Sequence, residues 1–209
     1  MARDSKVDVV LVRSGRTDWD DQRRVQGRGD LPLSASGRAG VVSLIAQWSK
    51  RFNGRTPAVI VSGPDESSLQ TAGLWAEALG GKIRTVPELI SMNLGLWEGL
   101  LESEIRHRFP GACREWEEQP SNIHPPEGES FVEAEARVRS ALAEVLERAN
   151  GRPIFVVCRP IPYAMGVCWL SNRPACDLWK IVEDGPDVTR VELEREHLHQ
   201  LVEDLKAGA

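Results

Sequence analysis

Three short runs of branched apolar residues constrain this chain more than any other feature: Val7–Val12 (VDVVLV), Pro57–Ser62 (PAVIVS) and Pro153–Cys158 (PIFVVC). Runs that are apolar on both faces read as strands buried inside a parallel sheet. Helical patterns lie between them. Ser34 is placed to cap a helix with Val41, Ile45, Trp48 and Phe52 on one face, closed by Asn53-Gly54. A second helix opens at Asp65 or Glu66 and runs to Leu79, before Gly80-Gly81. Leu100–Phe109 reads as helix broken by Pro110-Gly111. A long helix runs from about Glu129 to Ala149, with Phe131, Val138, Leu142, Val145 and Ala149 on one face, and another from Pro160 to Leu170. Ile83–Leu89, Leu178–Val182 and Val188–Leu193 read as further strands, and a charged helix ends the chain. Strands alternating with amphipathic helices predict an α/β fold, a three-layer αβα arrangement around a mainly parallel sheet. One domain over 1–209 is expected, with an insertion at about 90–128 covering a pocket.

Charge and cysteine usage narrow the function classes. A formal net charge of −5 gives no support to nucleic-acid or anionic-membrane binding. No apolar run approaches the ~20 residues that span a bilayer, and the polar segment Met1–Asp8 lacks a secretory core. The four cysteines, Cys113, Cys158, Cys168 and Cys176, form no CxxC pair, so reduced thiols and a cytoplasmic setting are expected. No metal or cofactor is expected: His107 reads as a surface residue, and His197 and His199, two apart on a helix, diverge. Trp19, Trp116, Trp169 and Trp179 are candidates for an exposed partner surface.

In such sheets ligands bind outside the carboxyl ends of the strands, which points to the loops after Val12, Val61 and Val157. The segment Leu11-Val12-Arg13-Ser14-Gly15-Arg16-Thr17-Asp18-Trp19-Asp20 resembles the signature loop of the histidine phosphatases, the phosphoglycerate mutase-like superfamily, written there as a strand, then Arg-His-Gly-x-Thr, two residues and Asn. Further blocks are similar and come in the family's order: Gln26-Gly27 with Pro32-Leu33-Ser34 and Gly37-Arg38, Ser62 with Gln70-Thr71-Ala72, Leu94-Gly95-Leu96-Trp97-Glu98-Gly99, and Pro126-Glu127-Gly128-Glu129-Ser130. The resemblance spans nearly the whole chain.

The departures fall on the chemistry. The resemblance places the phosphorylated histidine at Ser14 and its partner histidine at Arg159, which is followed by Pro160. A second pocket arginine falls at Ser67, the general acid at Ser91, and the asparagine closing the loop at Asp20; Arg13 alone survives of the core catalytic set. Phosphoryl transfer needs an in-line nucleophile, cations on the equatorial oxygens and a proton for the leaving oxygen. Imidazole attacks unaided at neutral pH, whereas a serine hydroxyl needs an adjacent base, and Ser67, Ser91 and Arg159 supply none. Asp20 is the one carboxylate near the loop in sequence, able to serve Ser14 or to pair with an arginine. The expected function is therefore a catalytically inactive relative that binds a phosphorylated or other anionic small molecule through Arg13, Ser14, Thr17 and Arg159. Two alternatives stay open. One is an active phosphatase using Ser14 or His124; the other is an interaction module, with a protein partner or a second copy and no ligand.

Overall fold

The three apolar runs become the inner strands of a five-stranded sheet. A computed structural model describes residues 6–207 other than 53 and 55; Met1–Ser5, in the polar start, and Asn53, in the expected helix close, lie outside the described residues. The elements run β1 (Lys6–Arg13), α1 (Asp18–Asp21), α2 (Ala35–Trp48), β2 (Val59–Ser62), α3 (Glu66–Leu79), β3 (Ile83–Thr85), α4 (Glu102–Arg108), α5 (Pro110–Glu118), α6 (Phe131–Glu147), β4 (Ile154–Cys158), α7 (Pro160–Leu170), α8 (Leu178–Asp184), β5 (Val188–Glu194) and α9 (Arg195–Ala207). The sheet order is β3-β2-β4-β1-β5, with β5 antiparallel to β1 and the other pairs parallel. Strand period then divides the core in two. Val7, Val9, Leu11, Val61, Ile154 and Val156 join the core with α6 and α7, while Val10, Val12, Ile60, Phe155 and Val157 join the core with α2 and α3. Helices on both faces of a mostly parallel sheet give the expected three layers.

Four local expectations differ from the structure, each for a physical reason. Leu178–Val182 is helix, not strand. Helical spacing buries Leu178 and Ile181 together, whereas a strand would put exposed Lys180 on the face of Leu178 and Val182. Strand β3 ends at Thr85, because Pro87 lacks a donor and starts a 3-10 turn over Pro87–Leu89. Pro110 does not leave a loop behind it: Phe109, at φ −130°, ends α4, and Pro110 occupies the first position of α5. Of the four candidate surface tryptophans, Trp169 is buried in the core, while Trp116 and Trp179, tilted against each other at 4.9 Å between ring centres, and Trp19, beside Gly99, are half-buried.

Because β2, β4 and β1 are neighbours in the sheet, Ser62, Cys158 and Arg13 end side by side. Ser14 N–H donates to the Cys158 carbonyl (2.9 Å) and Gly63 N–H to the Val157 carbonyl (2.8 Å), which stitches the three strand exits together. Helix α2 clamps the first loop. Ser34 caps it through the Gly37 N–H (3.0 Å), and a β-carbon on Gly37 would lie 2.1 Å from the Arg16 carbonyl oxygen. Gly37→Ala must therefore push α2 and the loop apart. A loss of about 1–3 kcal/mol in unfolding free energy is expected, read as a lower urea midpoint at unchanged slope.

Candidate functional site

The loop after β1 is built around Asp20. Thr17 caps α1, and its N–H donates to Asp20 Oδ2 at 2.7 Å, closing a capping box. The Thr17 hydroxyl lies 3.0 Å from Asp20 Oδ2 and 2.7 Å from Gln26 Oε1; Gln26 Nε2 in turn donates to the Gly29 carbonyl. Arg159, arriving from β4, completes the set. Its two terminal nitrogens donate to Asp20 Oδ1 and Oδ2, both at 2.9 Å. This is the fork-to-fork geometry that makes guanidinium–carboxylate pairs strong. The Arg159 side chain is 5% exposed and that of Asp20 22%.

Burial by itself would raise the Asp20 pKa. The hydrogen bonds and charge of Arg159, followed by the Thr17 backbone and hydroxyl, outweigh that penalty and hold the carboxyl below its ordinary value of 3.8.

Arg13 is turned away from this cluster. Its terminal nitrogens donate to the carbonyls of Val182 (2.6 Å) and Gly185 (3.0 Å), its Nε lies 3.0 Å from Asp187 Oδ1, and its guanidinium stands 5.7 Å from the Tyr163 ring centre. Arg16 is exposed and pairs with Asp21. Thr17 and Arg159 thus meet on Asp20, Ser14 is tied to the end of β4 through its N–H, and Arg13 runs to the segment between α8 and β5. Asp20 acts as the anion for Arg159, so of the roles open to it, it takes an arginine partner rather than serving as a base for Ser14.

Ser14 is 5% exposed, and Ser67 lies beside it. The Ser67 hydroxyl donates to Asp65 Oδ1 (2.8 Å). Toward Ser14 Oγ, 3.4 Å away, Ser67 is again the donor, so its single proton serves Asp65 or Ser14 but not both at once. Asp65, read in the sequence only as a helix opener, caps α3 through the Ser68 N–H, and its Oδ2 is buried with no hydrogen bond among the described residues. The carboxylate that reaches Ser14 through one hydroxyl is thus Asp65. Its signal lay in the spacing Asp65-x-Ser67, which reads equally as a plain N-cap. Cys158, behind this cluster, is buried, and desolvation pushes its thiol far above the ordinary range.

Over Arg159 lies a cavity of about 240 Å³, walled by residues that include Leu94, Trp97, Ile105, Trp116, Ile161 and Trp179, and reached by Gln26, Ser91 and Arg159. Ser14 is not among its lining residues, and neither is His124. His124 Nε2 lies 3.2 Å from the Gly128 carbonyl at an exposed site. Two carboxylates of the family-like blocks prove to be scaffold. Glu98 Oε1 accepts from the N–H groups of Arg28 and Leu94, while Glu129 pairs with Arg137, whose guanidinium also holds the Glu88 and Ile90 carbonyls.

The Asp20 carboxyl is held lower in the fold than in the unfolded chain, so its contribution to stability is full above about pH 4. It is lost as pH falls through the folded value. Asp20→Asn leaves Arg159 buried beside a neutral amide. A cost of about 2–3 kcal/mol is expected at pH 7, at the lower end for a buried pair because Asp20 keeps some exposure. The gap between the two proteins should close as unfolding is measured at successively lower pH below 4. A gap independent of pH would show that the ion pair is not its source.

The model of the histidine phosphatase superfamily (branch 1) matches residues 9–203. The chain is 27% identical over 188 residues to phosphoserine phosphatase 1 of Hydrogenobacter thermophilus, covering 90% of this chain and 87% of that one. It is 35% identical over 149 residues to a probable phosphoglycerate mutase of Escherichia fergusonii, covering 71% and 67%. It also matches three longer mycobacterial proteins at 32% identity and spans 44% of each. Among solved structures, a mycobacterial glucosyl-3-phosphoglycerate phosphatase complexed with VO3 superposes with a TM-score of 0.73 at 30% identity, over 82% of this chain and 85% of that one. With nearly its whole length matched by the family model and its strand-end loops in the family's order, the chain belongs to the histidine phosphatase superfamily, branch 1.

Proposed function

We propose that this chain is a non-catalytic member of its superfamily, with its phosphoryl site closed from within and its strand-end cavity kept for binding. One observation carries the reading: at the position of the partner histidine stands Arg159, buried and bound at both terminal nitrogens by Asp20. A phosphoryl group entering there has to displace a carboxylate already in bidentate contact. The nucleophile position is no better provided. Ser14 is buried, accepts from another serine and does not line the cavity. Ser91, at the acid's position, is far too weak an acid to protonate a leaving oxygen near neutral pH. Any anion site formed by Arg13, Ser14, Thr17 and Arg159 competes with Asp20 and needs Arg13 to leave Asp187.

A second reading, a phosphatase acting through Ser14, has its own support. The relatives carry the names of phosphatases and a mutase that act on phosphorylated small molecules, and the Ser14–Ser67–Asp65 chain offers a route for the serine proton. In that reading Arg159 swings out to admit the ester and the Ser14 hydroxyl turns to donate to Ser67. Ser14 Oγ attacks phosphorus as the P–O bond to the alcohol breaks, the Ser14 proton passes through Ser67 to Asp65, the departing alcohol oxygen takes a proton from solvent, and water then hydrolyses the phosphoserine.

Turnover of phenyl phosphate separates the two. The non-catalytic reading expects the wild type to match Ser14→Ala at the background rate. Wild-type turnover that falls about 10³-fold or more in both Ser14→Ala and Asp65→Asn, with native circular dichroism retained, would establish the serine mechanism instead.

A further inference from the structure

We infer that the cavity above Arg159 takes a small organic cation with an apolar body, an aryl- or alkylammonium, in preference to a phosphate ester. The inference rests on the reading that Asp20 retains Arg159. The cavity is large enough: an apolar void of about 150 Å³ accepts benzene, and this one offers about 240 Å³. Its walls include three indoles in a continuous chain of ring contacts, Trp97, Trp116 and Trp179. Trp97 meets Trp116 edge-on at 5.6 Å, and Trp116 meets Trp179 at 4.9 Å. Indole faces attract cations and offer nothing to an anion.

The charges agree with the walls. Each cation lining the cavity is already taken: Arg159 by Asp20, and Arg106, at the rim, by Glu117 at 2.8 Å. Two further rim carboxylates remain. Glu183, on α8, and Glu102, at the start of α4, are exposed and form no ion pair among the described residues, although Glu102 shares the field of Arg106. A phosphate ester here meets two unpaired carboxylates and no free cation. An ammonium group meets the reverse. A third observation adds an acceptor to the ligand. Trp97 is 5% exposed, and its Nε1–H is buried without a partner among the described residues. A buried donor of this kind is normally satisfied, and an ether or hydroxyl oxygen on the occupant would satisfy it.

A matched series tests this on the full chain: 2-phenoxyethyltrimethylammonium, 2-phenoxyethanol and phenyl phosphate, titrated by calorimetry and by tryptophan fluorescence. The expected order is cation tightest, by about fivefold over the alcohol, with phenyl phosphate weakest. Added salt should weaken the cation alone. The Glu102→Gln/Glu183→Gln double variant changes two exposed side chains and should fold normally. It should shrink the cation's advantage, leaving the part the indole faces supply, and leave the alcohol's affinity unchanged. Equal binding of cation and alcohol, an undiminished advantage in the double variant, or no binding by any of the three overturns the inference, while absent turnover of phenyl phosphate leaves the closed-site reading standing. Tightest binding of phenyl phosphate together with its turnover overturns both.

Discussion

Arg159 stands at the carboxyl end of the middle strand, and a guanidinium so deeply withdrawn from water survives only beside an anion that satisfies it. Asp20 is that anion, and most of the first loop is shaped by holding it in place. The carboxylate needs α1 to present it, α1 needs Thr17 as its cap, and the Thr17 hydroxyl reaches Gln26, which pins the Gly29 carbonyl. A single side chain from β4 therefore organises a loop 139 residues away in sequence. The desolvation of two charges costs several kcal/mol per ion, and two charge-assisted hydrogen bonds with supporting donors offset it only while both partners stay.

The residue after Arg159 contributes to this arrangement. Pro160 sits at the first position of α7 with its fixed φ already suited to a helix, and Arg159 becomes the N-cap without making a side-chain capping bond. A serine or aspartate there would turn back onto the helix. Arginine has no acceptor to offer its own helix, so its side chain reaches across the strand ends instead. Proline also removes one N–H from a terminus that would otherwise attract an anion. The Arg-Pro pair thus moves positive charge off the helix end and onto a side chain that Asp20 then neutralises.

Much of this fold was legible in the sequence because β1, β2 and β4 are buried on both faces, which leaves an unbroken apolar run as their mark. Legibility failed where spacing was ambiguous. Five residues from Leu178 to Val182 are too few to fix the period, and burial of Leu178 with Ile181 in the core decides for helix. That misreading hid the fate of Arg13, because its acceptors, the Val182 and Gly185 carbonyls, point toward it only when that segment is a helix end. Composition placed Asp20 near several arginines, and no local rule chooses Arg159 over Arg13 or Arg16; strand order chooses, by setting the end of β4 beside the end of β1. Asp65 was hidden differently, since its capping role fully accounted for its presence.

The departures at Ser14, Ser67, Arg159 and Asp20, and the retained Arg13, all have internal partners. Ser14 has Ser67, Ser67 has Asp65, Arg159 has Asp20, and Arg13 has Asp187 with two carbonyls. Sites connected in this way do not respond independently to change. A histidine restored at position 14 still meets a serine where a second cation belongs and an arginine held shut across from it. A histidine restored at position 159 strands Asp20 among donors with no charge to balance it. The strand-end loops are therefore held by contacts among the departed positions themselves, so that exchanging one of them disturbs the partner it is matched to.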